Sequence, residues 1–97
     1  MRFEFDARKD RANRKKHGLS LEFAERLDWN AMAVRIEERR GEERWFGLAL
    51  AEGRLYSIAF TVRDEHEDRE TVEVVRPISL RRATKAEERR YATESHD

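Results

Sequence analysis

The 97-residue sequence contains no cysteine, which excludes disulfides and thiolate metal sites. Proline occurs once and glycine four times, so no flexible linker divides the chain and a single domain over residues 1–97 is expected. No apolar run approaches the ~20 residues of a membrane span. The start, Met1-Arg2-Phe3-Glu4-Phe5-Asp6, lacks the apolar core of a signal peptide. A cytoplasmic protein with no membrane contact is therefore expected. Net charge is missing as well: 21 lysines and arginines balance 21 aspartates and glutamates. No Gly-rich phosphate loop, nucleophile elbow or paired-carboxylate motif stands out. No two of the three histidines sit at ligand spacing, so neither a metal nor a cofactor is expected.

What the chain has is ionic density: 43% of residues are charged against 38% hydrophobic, leaving a small core. The charge is segregated. Arg8, Lys9, Arg11, Arg14, Lys15 and Lys16 are relieved only by Asp10. A second basic group runs from Arg76 through Arg81, Arg82, Lys85, Arg89 and Arg90, and an acidic stretch from Asp64 to Glu73 separates the two. Such a molecule can meet a polyanion on one face.

The pattern predicts an α+β fold. Phe3 and Phe5 alternate with polar residues as a short strand or extended arm. Asp6 is placed to cap a helix over Ala7–His17, which Gly18 ends. Ser20 restarts a second helix, with Leu19 and Ala24 as its staple and Phe23, Ala24 and Leu27 as its apolar face. Four strand-like runs follow, from Met32 to Glu37, Arg44 to Ala51, Leu55 to Val62 and Thr71 to Leu80, with a tight turn at Glu52-Gly53. Pro77 predicts an edge position or a bulge in the last of them. Thr84 and Glu87 form a capping box for a final helix through Tyr91, fraying at Ser95-His96-Asp97. The expectation is two N-terminal helices, an antiparallel sheet of about four strands and a C-terminal helix.

Two clusters can carry chemistry. Lys9, Asn13 and Lys16 fall on one helix face, ending at His17, and such a stripe can track a phosphodiester backbone. A solvated face explains the charges equally well. His17 can move a proton near neutral pH or simply complement the helix dipole, and spacing favours the dipole role. Arg81 and Arg82, just ahead of the Thr84 cap, join bidentate donors to free backbone amides, a natural phosphate site. Pairing with Glu87, Glu88 or the acidic stretch is the alternative. Tyr91 can bond a phosphate, stack on a base, or pack on the sheet. Arg44, beside Trp45, can supply a third guanidinium.

Over nearly its whole length the sequence resembles the BrnT family, the ribonuclease halves of bacterial type II toxin–antitoxin pairs. The resemblance rests on Phe5-Asp6 with Lys9, on Asn13-x-x-Lys16-His17-Gly18 with Ser20, Phe23 and Ala24, and on Glu43-Arg44. It ends in Ile78-Ser79-x-Arg81-Arg82-Ala83-Thr84 with Glu87 and Tyr91. Departures fall at Leu80, Pro77 and Ala49, and the loop from Arg63 to Glu70 is longer than typical.

The resemblance implies a fold similar to RelE-type ribonucleases and a growth-inhibiting RNA-cleaving activity. It also implies a cognate antitoxin whose ribbon-helix-helix domain binds operator DNA, so that DNA contact is only indirect. Cleavage would be metal-independent, by attack of the ribose 2′-hydroxyl on the adjacent phosphorus. Arg81, Arg82, His17 and Tyr91 are the candidate catalytic residues. Lys9, Asn13, Lys16, Arg44 and Trp45 are the candidate RNA contacts. The competing reading is a non-catalytic RNA- or protein-binding module, or a decayed toxin that keeps only its antitoxin interface.

Overall fold

The computed structural model describes residues 1–94, and the fraying expected at Ser95-His96-Asp97 lies outside them. The elements are β1 (Arg2–Phe3), α1 (Ala7–His17), two short 3-10 helices (Leu21–Arg26 and Trp29–Ala31), β2 (Ala33–Arg39), β3 (Glu42–Ala51), β4 (Arg54–Glu67), β5 (Glu70–Arg82) and α2 (Lys85–Glu94). The five strands form one mixed sheet in the order β1-β5-β4-β3-β2. The expected Phe3 arm is its fifth strand, and it runs parallel to β5, pairing Phe3 with Val75.

The predicted caps are present. The Asp6 carboxylate accepts hydrogen bonds from the Arg8 and Lys9 amides, and Gly18 adopts φ 72° to close α1. Thr84 Oγ1 accepts from the Glu87 amide while Glu87 accepts from the Thr84 amide, a reciprocal capping box. Ser20 also caps as expected, but the element after it is a 3-10 helix rather than an α-helix. Six residues before the extended Leu27 leave no room for a propagating α-helix, and the tighter turn suffices to deliver Leu21 and Ala24 to the core.

The acidic stretch is not a loop. β4 runs to Glu67 and β5 starts at Glu70, with a tight turn at Asp68-Arg69 in the left-handed region. Two of its carboxylates are partnered: Glu65 and Glu67 by Arg2, and Glu65 also by Arg63, which binds Glu4. The β4–β5 ladder continues to the Glu67–Glu70 pair, and these ion pairs offset part of the repulsion along the arm. Pro77 sits at a bulge, where Phe60 pairs with Pro77 and Ala59 with Ser79, so that Ile78 is skipped. The skip reverses the alternation. Val75 and Leu80 therefore enter the core, whereas a simple period of two would have grouped Val74 with Leu80.

One face of the sheet holds the core: Tyr56, Ile58, Phe60, Val75 and Leu80 pack under Leu21, Ala24 and Leu27. Burying each large aliphatic side chain there contributes roughly 1.5–3 kcal/mol. β3 presents Ala49 and Ala51 to this face. A Cβ on Gly47 would lie 2.3 Å from Met32 Sδ, so only glycine lets Met32 pack there. The bulkier Phe46, Leu48 and Leu50 share the opposite, second face, where Leu50 is 41% exposed.

Candidate functional site

α1 lies along the outer edge of β5, beyond the point where β1 stops pairing. Its anchor is Asn13, 4% exposed. Asn13 Nδ2 donates to Leu19 O at 2.9 Å and Leu80 O at 2.8 Å, and Oδ1 accepts from the Leu80 amide at 2.9 Å. The side-chain amide imitates a neighbouring strand and closes the sheet edge. Asn13 borders a hollow beside α1, but both of its Nδ2 hydrogens are committed to backbone carbonyls, so none is left to donate to a phosphate. Asp10 adds a second tie, accepting from the Leu21 amide at 2.7 Å and Ser20 Oγ at 3.1 Å. The Leu21 amide, then Ser20 and Arg14, hold its carboxyl below the usual range.

With Asn13 turned inward, Lys9, Lys16 and His17 line a hollow of about 310 Å³ against Ile78, Ser79 and Arg81. Three cations and a half-buried histidine surround it, and among the described residues no carboxylate lines it. A larger hollow of about 370 Å³ lies at the joint between α1 and the first 3-10 helix. There Arg14 and Arg26 are offset by Glu22 and Glu25, so it offers an anion little, and the smaller hollow is the better candidate on charge.

Arg81 also lines a third hollow, of about 170 Å³, with Arg35, Arg90, Phe46 and Glu87. It thus joins the α1 hollow to a cationic path across the second face. Glu87 fixes its position: Arg81 Nη1 and Nη2 donate to Glu87 Oε1 and Oε2 at 2.7 and 3.1 Å, and Nη1 also donates to Arg82 O. Arg81 pulls the Glu87 carboxyl down to about 2. Among the described residues the Nε hydrogen and the second Nη2 hydrogen of Arg81 have no acceptor and can meet another anion. Glu87 and Ser79 are the residues that sequence reasoning did not assign to a site. The capping-box position of Glu87, six residues after Arg81, was the available signal.

Several expected site residues do not join this hollow. Consecutive strand residues point to opposite faces, so Arg82 lies away from Arg81, with its guanidinium 5.9 Å from the centre of the Tyr56 ring. The two arginines do not form one clamp. Arg44 and Trp45 are divided in the same way. Trp45 stacks on Phe60 with ring centroids 6.0 Å apart, partly buried against the core, which removes it as a platform beside the hollow. Arg44, opposite Glu37, shares the second face with Arg35 and Arg81. The Tyr91 hydroxyl donates to Ala31 O at 3.1 Å, ahead of β2 at the far side of the sheet. His17 and Tyr91 are consequently separated by the sheet's width and cannot share one reacting group. No group of three histidine, aspartate or glutamate side chains forms a metal-binding cluster among the described residues.

The fold and hollow define a small α+β protein whose cationic, carboxylate-free site lies where a basic helix meets a sheet edge. The chain belongs to the BrnT family: the family model described as "Ribonuclease toxin, BrnT, of type II toxin-antitoxin system" matches residues 5–87. The sequence-level resemblance is thereby established. Family membership makes the chain a ribonuclease toxin of the type II class, with an antitoxin as its partner. No curated protein gives a significant match. Among the described residues, no helix is long and apolar enough to cross a membrane.

Proposed function

We propose that the chain acts as one cytoplasmic toxin domain, of RelE-like fold, that cleaves RNA without a metal ion at the hollow between α1 and β5. The observation that carries this reading is the convergence of Lys9, Lys16, His17 and Arg81 around a cavity with no carboxylate in its lining. A scissile phosphate there meets the free edge of Arg81, already oriented by Glu87, while Lys9 and Lys16 hold the flanking backbone. His17 takes the proton of the ribose 2′-hydroxyl. That oxygen bonds to phosphorus, the bond to the 5′-oxygen breaks, and solvent protonates the departing oxygen, leaving a 2′,3′-cyclic phosphate. Arg35, Arg44 and Arg90 extend the track along the second face. The cognate antitoxin, carrying a ribbon-helix-helix domain, silences the enzyme by covering this surface.

The test uses the chain freed of its antitoxin, an unstructured RNA and a chelator. Products with 2′,3′-cyclic phosphate and 5′-hydroxyl ends are expected, with R81A slowing cleavage by about 100-fold and R82A far less. Products with 3′-hydroxyl ends, or cleavage that appears only on adding a divalent metal, would overturn the mechanism. If the wild type binds RNA and never cuts it, the non-catalytic reading replaces this one.

A further inference from the structure

We infer that the outer edge of β2 is a self-association surface that joins two copies of this chain into one continuous sheet. The two ends of the sheet are treated differently. At one, β1 and the Asn13 amide occupy the outer side of β5. At the other, β2 pairs only with β3 and presents its second row of backbone groups outward. Native edges are blunted by proline, bulges, short length, charged side chains or a covering element, and β2 relies on charge alone among the first four. β2 is seven residues long, contains no proline or glycine, and pairs with β3 in unbroken register. It also carries two of the large exposed apolar side chains, Val34 at 46% and Ile36 at 48%, on the face where Ile36 adjoins Trp45.

The charges on β2 identify the occupant. Arg35, Glu37 and Arg39 alternate on the second face, and within one chain Glu37 already pairs with Arg35 at 2.5 Å and with Arg39 at 3.2 Å. In an antiparallel pairing about a two-fold axis at Ile36, Ile36 faces its own copy. Arg35 then faces Glu37 of the second copy on both sides of the axis. The apolar seam runs Trp45, Ile36, Ile36, Trp45 across the junction. Moving the axis to residue 35 sets Arg35 against Arg35, and moving it to residue 37 sets Glu37 against Glu37. Opposite charges across strands stabilise and like charges destabilise, so charge pairing on this face favours the Ile36 axis over the two axes beside it.

The experiment is sedimentation of the antitoxin-free chain from about 1 to about 300 µM, the range in which small interfaces associate. The wild type is expected to shift from monomer towards dimer mass. I36K should stay monomeric throughout. R35E and E37R should each weaken association at least about tenfold, yet an equimolar mixture of the two should form a heterodimer, because every cross-axis pair is again of opposite sign. Arg35 and Ile36 are exposed and Glu37 is half-buried, and unchanged thermal melts will show that the fold is kept. A wild type that stays monomeric throughout overturns the proposal. So does a mixture that associates no better than its components, or a monomer that binds only an unrelated extended peptide at this edge.

Discussion

Neither α1 nor α2 presents an apolar stripe, and both are short and densely charged, yet the fold holds them by different means. α1 is fixed by buried polar bonds: Asn13 to both backbone groups of Leu80, and Asp10 to the start of the following 3-10 helix. α2 buries no residue. It is held at its start by the capping box and the Arg81–Glu87 pair, and farther along by the Tyr91 hydroxyl on Ala31. A helix can thus be secured without hydrophobic burial if its polar groups replace a missing strand partner, because unmet backbone groups at a sheet edge are costly. α1, one wall of the hollow, is anchored by buried bonds, while α2, outside it, rests on more exposed contacts.

Breaking the stronger attachment should have the largest effect. N13A leaves Leu80 N–H and two carbonyls without partners and is expected to destabilise the fold by about 2–4 kcal/mol, read from urea unfolding. An effect below about 0.5 kcal/mol would mean that water replaces the amide fully and that the contrast between the helices is illusory. D10A removes the bond to the Leu21 amide and should cost about 1–2 kcal/mol in the same assay.

On the α2 side, E87Q should cost about 1 kcal/mol, since Arg81 is partly solvated and the pair is screened. Glu87 also carries a pH signature. Its carboxyl titrates at about 2 in the folded chain against an ordinary 4.5. The stabilisation is therefore complete above about pH 4.5 and is lost as pH falls towards 2, because the unfolded chain then takes up the proton first. Acid titration of E87Q should show a shallower loss of stability across that window than the wild type. Parallel slopes would remove Glu87 from the account. Y91F should change stability by no more than about 0.5 kcal/mol, as expected for an exposed hydroxyl. Its clearer effect should be faster hydrogen exchange in the last turn of α2, with α1 unchanged.

Much of this architecture was legible in local chemistry. Asp6, Gly18, Ser20, Thr84 and Glu87 mark helix ends through bonds made within a few residues, and each forms as expected. Pro77 signalled the bulge because a missing amide cannot serve a ladder. The cationic character of Lys9, Lys16 and Arg81 was also plain. Other features were not legible because they depend on distant partners. Asn13 read as one more polar residue on a basic helix, since its bonds to Leu80 span 67 positions. The Arg63–Glu70 segment read as a loop because Arg2, which partners Glu65 and Glu67, lies at the other end of the chain.

By itself the sequence determined the bounds of α1 and the caps at Ser20 and Thr84, that the strands alternate, that charge is segregated, and which family the chain resembles. All of these rest on neighbouring residues or on motifs at fixed spacing. Only the tertiary structure decided that Arg81 faces the α1 hollow while Arg82 and Trp45 face the core side, that Asn13 is structural, and that β2 stands unguarded. The reason is parity and pairing. Strand alternation says that neighbours part, but the bulge at Pro77, the sheet order and the placement of α1 fix which neighbour meets which surface.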